Sequence, residues 1–79
     1  MSKFVNKPVR VIAKNGIPEQ FYYHKEYRVE GIQEQWRESG QWWLEESPIH
    51  IYRVIAAKSV FELHFFPKTN QWLLYRIED

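Results

Sequence analysis

The sequence predicts a mainly β protein: a small, strongly bent antiparallel sheet or partly open barrel of about five or six strands, ending in a three-stranded meander. Three observations carry this reading. Apolar side chains recur at every second position, the period of a strand with one buried face. Four Trp, five Tyr and five Phe among 79 residues supply the bulky, β-favouring side chains that a short chain needs for a core. Turn residues separate the alternating runs, and Gln41 to Glu46, bracketed by Gly40 and Pro48, is too short for a stable helix of its own.

Taken in order, Pro8 to Ala13 places Val9, Val11 and Ala13 on one side of a first strand. Asn15-Gly16-Ile17-Pro18 ends it, because Gly16 tolerates φ > 0 and Pro18 lacks a donor. Phe21 to Val29 reads as a hairpin. A three-residue loop at His24-Lys25-Glu26 opposes Tyr23 with Tyr27 and Phe21 with Val29, keeping all four on one face. Tyr27, Val29 and Gly31 are odd, whereas the continuing Ile32, Glu34 and Trp36 are even, so an extra residue near Gly31 predicts a β-bulge. Residues 33–47 read as strand, turn and short strand between Gly40 and Pro48.

Three β-rich runs follow: Ile49 to Ala56, Val60 to Phe66 and Gln71 to Ile77. A two-residue turn at Ala57-Lys58 opposes Val54 with Phe61, Arg53 with Glu62 and Tyr52 with Leu63. A four-residue turn at Pro67 to Asn70 opposes Phe65 with Trp72, Leu63 with Leu74 and Glu62 with Tyr75. Both registers send Tyr52, Val54, Phe61, Leu63, Phe65, Trp72 and Leu74 to one face, with Arg53 beside Glu62 on the other. That second face carries Ile51, Ile55, Val60, Leu73, Tyr75 and Ile77 among His50, Arg53, Glu62, His64 and Arg76. So much apolar area on a wet face predicts either that the sheet curls, with the N-terminal strands covering part of it, or that a partner does.

Length bounds the organisation. Residues 1–79 form a single domain, with residues 1–7 as a flexible lead-in. The absence of cysteine excludes a disulfide framework, a thiolate metal site and a thiol nucleophile. No apolar run reaches the ~18 residues of a membrane span. Met1-Ser2-Lys3-Phe4 lacks the apolar stretch of a secretory signal, so a cytoplasmic location is the expectation. A formal net charge of +1 does not demand a nucleic-acid partner.

No residue pattern points to catalysis or to a cofactor. No serine stands in a nucleophile-elbow context, and the isolated Gly16, Gly31 and Gly40 form no phosphate-cradling loop. His50 and His64 approach one another on adjacent predicted strands, but a metal site would need both together with carboxylates such as Glu62, and none is expected. Glu45-Glu46 and Glu78-Asp79 point to opposite faces of extended chain and make no acid/base couple.

Aromatic residues interspersed with basic ones are the remaining signal: Tyr22, Tyr23, Trp36, Trp42 and Trp43 near His24, Lys25, Arg28 and Arg37. Such sets stack bases and bind phosphates on small β-folds, or they simply fill the core. Trp42 and Trp43, being consecutive, cannot both face inward on an extended segment, which makes this pair a candidate binding contact.

Phe21-x-Tyr23-His24-Lys25-Glu26-Tyr27-Arg28-Val29, Gln35-Trp36-Arg37-Glu38-Ser39-Gly40-Gln41-Trp42-Trp43, Ile51-Tyr52-Arg53-Val54, Phe61-Glu62-Leu63 and Trp72-Leu73-Leu74-Tyr75-Arg76-Ile77 resemble a bacterial family of domains of unknown function, DUF6504. Its pattern reads roughly Phe-x-Trp-Arg-Gly-Arg-x-Tyr-x-Val, then Trp-Arg-x-x-Gly-x-Trp-Trp, Tyr-Arg-Val and a terminal Trp-x-Leu stretch. The likeness spans about residues 17–79; Tyr23-His24-Lys25-Glu26 replaces the family's Trp-Arg-Gly-Arg turn. Similar segments follow Y-family-polymerase-like proteins of bacterial mutagenic repair. The resemblance therefore implies an accessory binding module in DNA repair, and Trp36, Arg37, Trp42, Trp43, Tyr52 and Arg53 are the positions it carries over.

The expected function is accordingly that of a non-enzymatic binding module, with Trp36, Arg37, Trp42, Trp43, Arg28 and Arg53 as contact candidates and either protein or nucleic acid as partner. A nucleic-acid partner requires Arg10, Lys25, Arg28, Arg37 and Arg53 to share one basic face. A protein partner requires an apolar patch, and a symmetric homodimer is one form of it. The alternatives are a homo-oligomeric structural protein without a nucleic-acid role, or a ligand binder or enzyme with a concave pocket.

Overall fold

A computed structural model describes residues 2–38 and 48–78, and the described residues form seven strands and no helix. The strands are β1 (Ser2–Lys14), β2 (Ile17–Tyr23), β3 (Lys25–Arg28), β4 (Gly31–Glu38), β5 (Ile49–Ala56), β6 (Ser59–Phe66) and β7 (Gln71–Glu78). They make one antiparallel sheet in the order β3-β2-β1-β7-β6-β5-β4, curled into a half-barrel. The expected architecture stands, with seven strands in place of five or six. Its two end strands are consecutive in the chain, so the link at Val29-Glu30 spans the open side. Val29 N–H donates to Glu19 O on β2 at 2.9 Å, and Glu30 N–H donates to Ile55 O on β5 at 2.8 Å. One short segment thus ties both ends of the sheet together.

The C-terminal meander has the register that its two turns impose. Val54 faces Phe61, Tyr52 faces Leu63, Leu63 faces Leu74 and Phe65 faces Trp72. Val54, Leu63 and Leu74 are fully enclosed, and Phe65 and Trp72 pack against them. Val9, Val11, Phe21 and Tyr27 from the first three strands complete the same cluster. Curling therefore brings the N-terminal strands over the inner face of the meander, not over its second face.

Bulges decide what the second face carries. On β7 the register steps from Arg76, opposite Glu62, to Leu74, opposite Leu63, leaving Tyr75 as the extra residue. Glu62 therefore faces Arg76 and not Tyr75. The parity switch also takes Ile77 into the inner cluster, where the second face had been expected to hold it. His50 likewise belongs with the inner row, opposite Phe65 with ring centroids 5.9 Å apart.

The β2–β3 hairpin is tighter than expected. Phe21 pairs with Tyr27 and Tyr23 with Lys25, a slip of two residues from the three-residue loop. A slip of two leaves every side chain on its own face. His24 turns the chain alone at φ 65°, and the shift stacks Phe21 on Tyr27 with centroids 5.1 Å apart and both rings against Phe61. Such ring pairs contribute roughly 0.5–1.5 kcal/mol each beyond their buried area, which selects this register over the looser one. Near Gly31 the strand breaks at Val29-Glu30, and a second shift between Ile32 and Glu34 leaves Gln33 as the extra residue. Ile32 then packs inward, while Glu34 and Trp36 lie on the outer face opposite Arg53 and Ile51; the three do not share one face.

Candidate functional site

The expected contact residues are dispersed. Trp36 is half-buried on β4, its Nε1–H donating to Glu38 Oε1 at 3.3 Å, and Arg37 follows it, exposed, opposite His50. With Gln35 and Tyr52 they line a shallow hollow of about 260 Å³. Arg28 stands exposed on β3, opposite Gln20. The Trp42 and Trp43 pair lies outside the described residues.

Arg53 is committed elsewhere. It pairs with Glu78 and lies 3.9 Å from Glu34. Arg76 binds Glu62 at 3.3 Å and Glu78 at 3.0 Å, and His64 Nε2 lies 2.7 Å from Glu62 Oε2. The Tyr75 bulge assembles this outer-face network by bringing Arg76 level with Glu62. Glu62 is only 8% exposed, a burial that a carboxylate tolerates when cations and donors surround it. Stacking of His64 on Tyr75, with centroids 4.5 Å apart, and the edge of Phe4 on Tyr75 extend the network toward β1. His64 is thus on the outer face and His50 on the inner, so the two do not converge.

The basic face does not assemble. Arg10 and Arg28 share the outer side of β1–β2–β3, but Lys25 is on the inner side over the Tyr27 ring, Arg37 is at the far end of the sheet and Arg53 is neutralised.

What the outer side of β1–β2–β3 presents is a different surface. Registers set Arg10, Tyr22 and Glu26 in one row and Ile12, Gln20 and Arg28 in the next. Tyr22 is 56% exposed and Ile12 is 55% exposed. Pro8, Arg10, Ile12, Gln20, Tyr22 and Glu26 border a cavity of about 510 Å³. An exposed Tyr beside Arg is a pairing enriched at protein interfaces, and the exposed Ile12 adds apolar area to it. Tyr22 was legible as a candidate by its aromatic run. Ile12 was not, although it sits off the Val9–Val11 alternation and so had to face outward.

No curated protein matches the chain, and no solved structure matches it. The model of one family does, described as Domain of unknown function (DUF6504), and the match reaches from residue 1 to residue 79, beyond the stretch carrying the quoted motifs. A chain matched over its whole length by that model belongs to the DUF6504 family.

Proposed function

We propose that the chain is a non-catalytic, cytoplasmic binding module that docks a protein partner through the outer side of β1–β2–β3. The observation that carries this is the exposure of Ile12 and Tyr22 side by side at the rim of a groove, framed by Arg10, Glu26 and Arg28. Large apolar side chains held on strands, with charged neighbours at the edge, have the layout of an interface core and rim. Dispersal of the basic residues and neutralisation of Arg53 favour protein over nucleic acid, whose phosphates require several free cations on one surface. The separation of His50 from His64 supports the non-catalytic reading.

The repair context implied by the family resemblance directs the search for the partner to bacterial mutagenesis proteins. The immobilised protein is incubated with bacterial lysate, with and without nuclease, and compared with Ile12→Asp/Tyr22→Asp. Capture of a defined protein that survives nuclease and weakens at least tenfold in the double variant is the expected result, since interface anchors are worth ~2 kcal/mol or more. Capture that disappears with nuclease, or falls steeply with salt, overturns the reading in favour of nucleic acid.

A further inference from the structure

One mouth of the half-barrel has a chemistry that the docking surface does not explain. Lys3 on β1 stands opposite Ile77, and Lys25 on β3 stands opposite Tyr23. Ile77 and Tyr23 both pack on the inner cluster, so the two lysines occupy inward-facing positions of their strands. They meet at a cavity of about 320 Å³ lined also by Tyr27, Ser59, Phe61 and Ile77. No carboxylate lines it among the described residues, and neither lysine has an ion pair among them. Lys25 Nζ lies 5.2 Å from the Tyr27 ring centroid, and Tyr27 and Phe61 meet at 4.8 Å.

Two ammonium groups at the edge of one opening both attract an anion seated between them, and no carboxylate in the lining opposes them among the described residues. Phe61 and Ile77 in the lining favour an anion with an apolar body, whose charge meets the lysines. The volume lies at the lower end of the ~300–1,000 Å³ usual for small-ligand pockets, and barrel mouths are frequent sites for them. We propose that this mouth binds a small organic anion with an apolar body, its carboxylate or phosphate held between Lys3 and Lys25. The proposal is independent of the protein-docking surface.

The test is titration of the ¹⁵N-labelled chain with 2-naphthoate and with adenosine 5′-monophosphate, each against its uncharged counterpart, 2-naphthamide or adenosine. Saturable amide shifts at Lys25, Tyr27 and Phe61 are expected with at least one anion. Affinity should fall about tenfold for Lys3→Gln or Lys25→Gln, the loss of one charge-assisted contact, and further for the uncharged counterpart, which loses both. Lys68→Gln, in the β6–β7 turn, and Ile12→Asp/Tyr22→Asp should leave it unchanged. Absence of saturable shifts with both anions, or equal binding by the lysine variants or the uncharged compounds, overturns the proposal.

Discussion

Ala57 and Lys58 both hold left-handed backbone, at φ 48° and 65°, in the two-residue turn between β5 and β6. Neither is a residue that favours this region; the twist of a two-residue hairpin demands it. Ala57→Asn/Lys58→Gly installs the residues such a turn prefers and should raise stability by ~1 kcal/mol, read as a higher urea midpoint at unchanged m-value. Tyr52, almost fully enclosed, donates its hydroxyl to Gly16 O at 2.9 Å across the interior. Tyr52→Phe leaves that acceptor without its partner and should cost ~1 kcal/mol in the same measurement. For the charged network, Arg76 and Glu62 should show coupling of ~0.5–2 kcal/mol in a double-mutant cycle. Coupling of Arg53 with Glu62 should be smaller, although they face each other in register, because Arg53 is bound to Glu78 and Glu34. The two-residue turn follows from the strand registers; the Tyr52 bond and the routing of Arg53 do not, because registers say who is opposite whom and not which partner a long side chain reaches.

At the scale of the element, bulges set the faces. With Tyr75 paired as an ordinary rung instead of bulged out, simple alternation from Leu74 would put Arg76 on the inner side and Ile77 on the outer. An arginine would then enter the apolar cluster, a burial that costs several kcal/mol. Deletion of Tyr75, by contrast, takes out only the extra residue, keeps Arg76 opposite Glu62 and should retain the dispersed amide spectrum of a folded sheet. The β5–β6 hairpin and the first rungs of β6–β7 were legible because two short turns each admit one register that keeps Val54, Phe61, Leu63 and Leu74 together. The break near Gly31 was legible from the odd-to-even change of its apolar residues. The bulges at Gln33 and Tyr75 were not, since neighbouring polar and apolar residues there leave more than one alternation open. The β2–β3 slip was hidden for another reason: a shift of two changes no face, so no pattern of burial can report it.

The whole molecule depends on contacts distant in sequence. β1 pairs with β7, bringing Ser2 opposite Glu78, and the Val29-Glu30 link joins the two ends of the sheet. Such a topology closes long loops before its contacts form, so refolding after dilution from denaturant should take milliseconds to seconds and not microseconds. Deletion of residues 2–7 strips β7 of its partner at Ile77 and Glu78 and leaves a bare strand edge. The truncated chain should be less stable and associate in sedimentation experiments.

Alternation, turn chemistry and the weight of aromatic residues were enough to determine that this is a curled antiparallel sheet, and which apolar side chains of residues 49–74 line its inside. Those are local properties, written in periods of two and in the few residues that can reverse a strand. Tertiary structure alone decided which charges stand free. Curvature and the bulges at Gln33 and Tyr75 carried Arg53 and Arg76 to carboxylates, and curvature drew Lys3 to Lys25 from strands that are not neighbours in the sheet. Convergence of that kind depends on how the sheet closes in space, and closure is a sum over the entire chain that no single stretch of sequence contains.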